Sequence, residues 1–261
     1  MSKHLQLISA AYLDEYSSKV NIDWLKISYK FRSKPKFTTE DFEYYLIASS
    51  LYSSKIEGNT LDVDSFFWNR GKKGFPKKKE MAEIEDLVKA YEFAVDAKLN
   101  KRNLLKAHGL LSKQLLPPKE QGVIRNEGMW VREKATGKPV YGGTEPKDLP
   151  QEFNKLFEDI AELLKRDLKY KEIFYYASMI HLWFVKIHPF GDGNGRSARL
   201  LEKWFLASHL GRTAWSINSE KYYWDNRPDY YENVAIGYHY YVLKWERCIP
   251  FLLMLPESLK G

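Results

Sequence analysis

The sequence contains a single cysteine, Cys248, so no disulfide can form within the chain. A reducing compartment is the simplest interpretation of that composition. No apolar run approaches the roughly 18 to 20 residues that a membrane-spanning helix requires. The N-terminal segment also lacks the apolar centre of a signal peptide. We therefore predict a cytoplasmic protein with no membrane partner.

Internal repeats, low-complexity tracts and evident linkers are also missing from the 261 residues. What is present is a hydrophobic fraction of 44%, which excludes a disordered chain and allows a sizeable core. We divide the sequence into an N-terminal helical region (1–100), a central core (101–215) and a C-terminal helical extension (216–261) that packs on the core.

The net charge of +7 has its densest basic run at Lys72–Lys79, which also contains glycine and proline. Such a run is typical of a solvated loop, with a nucleic-acid patch as the alternative. No zinc-finger, RNA-recognition, basic-zipper or winged-helix pattern accompanies it. Charge alone therefore does not predict a nucleic-acid partner.

The spacing of apolar residues and the residues at helix ends predict a mainly α-helical fold. The predicted helices cover residues 39–57, 79–100, 104–116, 147–164, 173–187 and 194–210, and the tail from 218 to 255 is predicted to be helical with short breaks.

The stretch from 122 to 143 differs, because short runs of Val, Trp and Tyr flank a turn that contains Thr136–Gly137. This pattern predicts a β-hairpin. One arm holds Met129, Trp130 and Val131, and the other arm holds Val140–Tyr141.

The string HPFGDGNGRSAR at residues 188–199 carries the strongest chemical signal. Three of the five residues from 191 to 195 are glycine, which lets the backbone bend sharply and approach a ligand closely. The loop leads into a predicted helix N-terminus, where free N–H groups favour anions. Arg196 and Arg199 are three residues apart and share one helix face. These features predict a polyphosphate site.

The same string supplies a metal ligand and a base. Asp192 offers a hard oxygen ligand suited to Mg²⁺ that bridges phosphates. His188 can act as a base near neutral pH. The pattern is neither a Walker A loop nor a dinucleotide fingerprint, because no Gly-Lys-Ser/Thr follows and no strand precedes it.

The string matches the signature of the Fic family, HPFx(D/E)GNGRxxR, at every defined position. The chain from about 104 to 210 also resembles the Fic core. The resemblance implies a Fic-type helical bundle with a β-hairpin, the flap, beside the active-site loop. It further implies a protein adenylyltransferase, which moves AMP from Mg-ATP to a Ser, Thr or Tyr hydroxyl of a target protein and releases pyrophosphate.

By position, the resemblance implies that His188 is the base that deprotonates the target hydroxyl. It implies that Asp192 is the Mg²⁺ ligand and that Phe190 holds the loop to the core. The edge of the flap, at Met129, Trp130 and Val131, would hold a target segment by strand addition.

The resemblance also assigns the contacts of the donor nucleotide. The nest around the α- and β-phosphates would consist of Gly193, Asn194 and Gly195. Arg196 resembles the arginine that contacts the β-phosphate, and Arg199 the one that contacts the γ-phosphate. Tyr231 is the candidate adenine contact, although Tyr238 stands where the family often has asparagine.

An inhibitory element is implied at the end of the first predicted helix. Glu57 is an acid near a helix C-terminus, where the partial negative charge prefers cations, so a compensating partner is expected. Ser53, Glu57 and Gly58 resemble the Fic inhibitory motif, (S/T)xxxE(G/N). The resemblance implies that Glu57 pairs with Arg199 and keeps it from the γ-phosphate, as in the class with an N-terminal inhibitory helix.

Several alternatives stay open at this stage. The phosphate-reading loop would also accept a donor of UMP, GMP or phosphocholine, and some family members with this glutamate remove AMP from targets. A regulatory protein- or nucleic-acid-binding module is the alternative from another class. The aromatic surface residues would also allow a homodimer.

Overall fold

The computed structural model describes residues 4–23, 27, 38–72, 75–133 and 136–260, and these residues are mainly α-helical, as predicted. Residues 73–74 of the basic run lie outside the described residues. The described helices are α1 (Leu13–Lys19), α2 (Thr39–Ile56), α3 (Val63–Asn69), α4 (Lys78–Asp96), α5 (Lys101–Leu111), α6 (Leu149–Leu163), α7 (Tyr170–Ile187), α8 (Asn194–Leu210), α9 (Ser219–Asp225), α10 (Arg227–Val234) and α11 (Ile249–Glu257). Short 3₁₀ helices cover Pro118–Glu120, Arg212–Ser216, Tyr240–Val242 and Trp245–Arg247.

Helix α7 is the centre of the fold. Its sequence is apolar on nearly every face, which is the pattern of a helix surrounded by other helices, and most of its residues are buried. It packs most extensively against α8, and the residues between the two helices are those of the glycine-rich string. The surrounding core draws on all parts of the chain, including Tyr16, Leu87 and Phe251.

Helix α2 begins with a capping box at Thr38. The Thr38 hydroxyl accepts a hydrogen bond from the Asp41 N–H, and the Asp41 carboxylate accepts one from the Thr38 N–H. The helix ends at Ile56, so the predicted range of 39–57 is one residue too long. A small apolar cluster, which includes Leu51 and Phe66, packs α2 against α3 and α4.

The boundary between α4 and α5 differs from the prediction. The predicted helices were 79–100 and 104–116, whereas α4 ends at Asp96 and α5 begins at Lys101. The reason is Asn100, whose Oδ1 accepts the Asn103 N–H at 2.9 Å and thereby caps α5. At its other end, α5 stops at Leu111. The apolar residues after it, which had led to the prediction of a helix as far as 116, lie in turns.

The hairpin is present, with its first strand one residue later than the predicted arm and its second strand one residue longer at each end. Strands β1 (Trp130–Arg132) and β2 (Pro139–Gly142) are antiparallel, with Trp130 opposite Gly142. Met129 precedes β1, and its carbonyl oxygen accepts the Gly143 N–H at 3.2 Å. On its other side Gly142 donates to the carbonyl oxygen of Tyr238 at 2.9 Å, which joins the hairpin to the C-terminal part of the chain.

Among the residues that the structure describes, no helix is both long enough and apolar enough to cross a lipid bilayer.

Candidate active site

The side chain of Asn194 closes the glycine-rich loop. Its Oδ1 accepts the Phe190 N–H at 2.9 Å, and its Nδ2 donates to the Phe190 carbonyl oxygen at 2.8 Å. Gly193, which precedes Asn194, lies in the left-handed region with φ 78°. Its N–H donates to Asp192 Oδ1 at 2.6 Å. The loop is therefore fixed by its own residues before α8 begins.

His188 ends α7 in the left-handed region, at φ 53°, which is costly for a residue with a side chain. Its Nδ1 lies 3.1 Å from the carbonyl oxygen of Val185 and must therefore donate, which leaves the lone pair on Nε2. Burial, together with the charges of Arg125 and Lys186, lowers the pKa of His188 to about 4. The imidazole is thus neutral at physiological pH, with the free nitrogen of a base.

A second histidine lies beneath the loop, and no pattern in the sequence indicates it. The ring of His108 stacks on Phe190 with 3.5 Å between the ring centroids. Its Nδ1 accepts the Gly122 N–H at 3.0 Å, so its Nε2 is the protonated nitrogen and donates to the Asp192 carbonyl oxygen at 3.0 Å. Burial lowers the pKa of His108 to about 4, which keeps this neutral tautomer in place.

The structure brings together the predicted inhibitory residues and Arg199. The guanidinium of Arg199 is fully buried. Its Nε donates to Ser53 Oγ at 2.8 Å, and its Nη2 donates to the Ser53 carbonyl oxygen at 3.0 Å and to Glu57 Oε1 at 2.7 Å. Its Nη1 donates to the Tyr230 hydroxyl at 3.1 Å. Every nitrogen of the guanidinium is therefore engaged.

The carboxylate of Glu57 also fills the space above the first turn of α8. A Cβ atom added to Gly195 would lie 2.3 Å from Glu57 Oε1, so a larger side chain there would displace the carboxylate. Gly58 then takes φ 102°, which allows the chain to leave the helix end. The glutamate thus occupies the side of α8 that the anion nest would present to a ligand.

Two residues of α10 hold the C-terminal end of α2. The carbonyl oxygen of Ile56 accepts hydrogen bonds from the Tyr231 hydroxyl and from Arg227 Nε, both at 2.9 Å. Such bonds satisfy a carbonyl that the helix itself leaves open. The hydroxyl of Tyr231 therefore contacts the C-terminal end of α2, while 43% of the residue surface remains exposed.

A buried polar chain continues behind Arg199. The Tyr230 hydroxyl accepts from Arg199, so it donates its own proton to His181 Nε2 at 3.1 Å. The Nδ1–H of His181 in turn donates to Glu202 at 2.8 Å. His181 is thus a core histidine with both ring nitrogens hydrogen-bonded.

Arg196 has very different surroundings. Its Nη2 lies 3.4 Å from Oε2 of Glu83, a residue of α4 that the sequence did not single out. Although the side chain is mostly buried, its Nε has no hydrogen-bond partner among the described residues. Arg196 therefore retains donors for a ligand.

The hairpin presents Trp130 to solvent, while Met129 and Val131 are half-buried. Within the described residues β1 pairs only with β2, so the outer edge of β1 keeps open backbone groups that another strand could pair with. The Tyr141 hydroxyl donates to the carbonyl oxygen of Lys186 at 2.5 Å and ties the hairpin to α7.

Residues 98–206 match the sequence model of the Fic/DOC family. No curated protein matches the chain. Among solved structures, a Fic family protein from Desulfovibrio desulfuricans is similar with a TM-score of 0.71 and 22% identity over 99% of this chain and 74% of that one. A Fic domain-containing signaling protein from Bacteroides thetaiotaomicron is similar with a TM-score of 0.67 and 20% identity, over 91% of this chain and 94% of that one. Fic-1 from C. elegans is similar with a TM-score of 0.64 and 18% identity, over 95% of this chain and 70% of that one.

At these identities the solved structures show a common fold. The matched region contains the complete signature loop, from His188 to Arg199. Residues 98–206 therefore match the Fic/DOC family model, and the chain shares its fold with Fic family proteins of known structure.

Proposed function

We propose that this chain is an autoinhibited protein adenylyltransferase, which moves AMP from ATP to a Ser, Thr or Tyr hydroxyl of a target protein. Fic domain proteins are generally transferases, and they typically move AMP or another nucleotide group to proteins. The observation that carries the proposal is the free Nε2 of His188 at one end of a loop whose other end is a helix N-terminus with two arginines.

In the proposed reaction the target hydroxyl attacks the α-phosphorus of ATP. A bond forms between the hydroxyl oxygen and the α-phosphorus, while the bond from that phosphorus to the bridging oxygen of pyrophosphate breaks. The hydroxyl proton passes to Nε2 of His188, which is neutral and whose ring is oriented by the Val185 carbonyl. Pyrophosphate leaves.

The backbone N–H groups of Asn194 and Gly195 would bind the α- and β-phosphates, because they belong to the N-terminal end of α8. The Gly193 N–H would join them by exchanging its bond to Asp192 Oδ1 for one to a phosphate oxygen. Arg196 would contact the β-phosphate through the donors that it retains. Arg199 would contact the γ-phosphate once Glu57 has left it. Fixed donors of this kind stabilise the charge that develops in a phosphoryl transition state.

Asp192 fits the role of a magnesium ligand. Its side chain is exposed at the turn of the loop, and Mg²⁺ is usually bound by one or two carboxylates together with substrate phosphates and water. Among the described residues, no three His, Cys, Asp or Glu side chains form a metal site by themselves. An ion that arrives with the nucleotide would neutralise phosphate charge there.

Inhibition would follow from the two contacts of Glu57. Its carboxylate pairs with Arg199 at 2.7 Å and lies against Gly195, so a γ-phosphate would meet both an occupied arginine and a like charge. ATP could then bind only with its phosphates displaced from the productive position. Release of Glu57 would free both the arginine and the space.

The hairpin and Tyr231 complete the proposal. The open edge of β1 would pair with an extended target segment and direct its hydroxyl towards His188. The ring of Tyr231 would contact adenine, since its exposed part faces solvent while its hydroxyl is held by Ile56.

The test uses α-labelled ATP with Mg²⁺ and measures label on this chain or on added proteins. We expect Glu57→Gly to increase labelling about 100-fold over wild type, the scale of one strong transition-state contact. His188→Ala in the same background should abolish it. Glu257→Gly is a matched control, because Glu257 also lies at a helix end but pairs with Lys260.

Three outcomes would contradict the proposal. Equal labelling by wild type and Glu57→Gly would rule out the inhibitory role. If no variant transferred label from ATP but label was transferred from another nucleotide or from a phosphocholine donor, ATP would not be the donor. Silence with all donors, together with loss of label from an AMP-modified protein, would indicate AMP removal.

A further inference from the structure

The side chain of Arg125 lies between the hairpin and the catalytic loop and bonds to both. Its Nε donates to the His188 carbonyl oxygen at 2.8 Å. Its Nη1 donates to the Glu127 carbonyl oxygen at 2.6 Å, and its Nη2 donates to the Thr144 carbonyl oxygen at 2.6 Å. The backbone N–H of Arg125 adds a bond to the Pro189 carbonyl oxygen at 2.9 Å.

These acceptors belong to three separate segments. Glu127 lies on the arm that leads into β1, Thr144 follows β2, and His188 is the proposed base. Because a guanidinium is planar and its donors are fixed in a fork, it holds three carbonyl groups in one set geometry. A lysine ammonium carries the same charge but cannot reproduce that fork.

The packing around the guanidinium is close. A Cβ atom added to Gly143 would lie 3.0 Å from Arg125 Nη2 and 3.1 Å from His188 Cβ. Glycine at this position is what allows the end of the hairpin to approach both residues. The N–H of Thr144 also donates to the carbonyl oxygen of Ile187, directly before the base.

We propose that Arg125 is a positioning residue for the transfer reaction, one that sets the distance between the hairpin and His188. The hairpin would hold the target segment, while His188 would take the proton of its hydroxyl. Arg125 fixes these two elements relative to each other without touching substrate. The catalytic part of this inference rests on the proposed function, but the mechanical part does not.

The expected kinetic effect is on turnover. The donors for the nucleotide phosphates lie on α8 and its N-terminal end, which Arg125 does not contact. A displacement of about 1 Å between reacting groups can cost on the order of 100-fold in rate. Loss of the fork should therefore lower kcat and leave nucleotide affinity nearly unchanged.

The first experiment compares Arg125→Lys with Arg102→Lys, both in the Glu57→Gly chain. Arg102 is an exposed arginine of α5, outside the hairpin and the loop. We expect Arg125→Lys to lower kcat about 30- to 100-fold with the KM for ATP and the Kd for ADP within about twofold. Arg102→Lys should leave all three values near those of the parent.

The second experiment needs no activity. Amide hydrogen exchange in the otherwise wild-type chain should become faster at Gly143, Thr144 and His188 in Arg125→Lys, and not in Arg102→Lys. Gly143→Ala provides a second variant, because its methyl group would push Arg125 and His188 apart. It should reproduce both the exchange pattern and the fall in kcat.

The results separate the two claims. Unchanged exchange at His188 with unchanged kcat would overturn the positioning role, and so would an equal loss of kcat and ADP binding. An inactive Glu57→Gly chain whose exchange pattern still follows Arg125 would overturn the proposed function while leaving the role of Arg125 in holding the hairpin to the loop.

Discussion

The buried face of α8 and the loop before it differ in how completely their charged and polar side chains are hydrogen-bonded. On the helix, Arg199, Glu202 and Lys203 are fully buried, and each has several hydrogen-bond partners from other elements. Around the loop, His188 keeps a free Nε2, and Arg196 keeps a buried Nε without a partner among the described residues. The helix face is complete without a ligand, whereas the loop retains donors and an acceptor for one.

Lys203 is the clearest member of the first group. Its ammonium has three N–H donors, and they are directed to Ser49 Oγ at 2.6 Å, the Ile217 carbonyl oxygen at 2.7 Å and Glu220 Oε2 at 2.5 Å. Glu220 also accepts a hydrogen bond from the Tyr91 hydroxyl at 2.7 Å. This cluster joins α2, α4, α8 and α9, so it fixes α2 to the rest of the fold.

The largest effect is therefore expected for Lys203→Met. Removal of one partner leaves the buried Glu220 without its counter-charge, which typically costs about 3 to 5 kcal/mol of unfolding free energy. Urea unfolding of the variant measures this loss. Lys79→Met, at an exposed position of α4, is the control and should change the unfolding free energy by less than about 0.5 kcal/mol. Similar values for the two variants would contradict the comparison.

Lys186 tests the other region, because its charge is buried near the loop without a carboxylate partner among the described residues. Its ammonium lies 4.3 Å from the ring centre of Tyr141, and burial lowers the pKa of Lys186 to about 7. An unfolded lysine titrates near 10.4, so between about pH 7 and 10 the unfolded chain binds more protons than the folded one. This lysine therefore makes the protein more stable as the pH rises through that range.

We accordingly expect Lys186→Met to stabilise the protein at pH 7 by about 2 kcal/mol, since removal of the cation–π interaction with Tyr141 offsets part of the gain. The advantage over wild type should shrink as the pH approaches 10. Unfolding free energies of both proteins at several pH values measure the difference. A constant difference across that range would show that burial does not disfavour the charged form of Lys186.

Ser53 and Ser54 offer a matched pair at the junction of the two regions. Both are buried on α2, but Ser53 Oγ accepts from Arg199, while Ser54 Oγ has no partner among the described residues. Loss of one hydrogen bond to a charged group is worth about 1 kcal/mol or more, so Ser53→Ala should weaken inhibition and raise AMP transfer about fivefold. Ser54→Ala should leave transfer unchanged. Equal effects would mean that packing of α2, and not its contact with Arg199, maintains inhibition.

The sequence predicted those features that depend on neighbours along the chain. The apolar stretch that forms α7, the loop after His188 and the misplaced charge of Glu57 all lie within short strings with a recognisable pattern. His108 and Arg125 could not be found in this way, because each acts on backbone groups of residues more than 60 positions away. Backbone carbonyls carry no side-chain signature, so neither apolar period nor residue type reveals such contacts.

The smallest effect sharpens the comparison most, because it concerns the second signature arginine. Glu83 reaches Arg196 through a single contact of 3.4 Å, in contrast to the 2.7 Å contact between Glu57 and Arg199. An ion pair of such poor geometry is worth at most about 1 kcal/mol. Glu83→Gln keeps the shape and an acceptor oxygen but removes the negative charge near the proposed phosphate site.

In the Glu57→Gly chain we therefore expect Glu83→Gln to tighten ADP binding only about two- to threefold, measured by calorimetry. Glu85→Gln, a neighbouring acid on the same helix, should have no effect on affinity. A gain above about tenfold would mean that Glu83 withholds Arg196 much as Glu57 is proposed to withhold Arg199. A loss of affinity would mean that Glu83 orients Arg196 for the phosphate. In either case the loop would depend on an acidic partner from α4, and the contrast with the buried face of α8 would not hold.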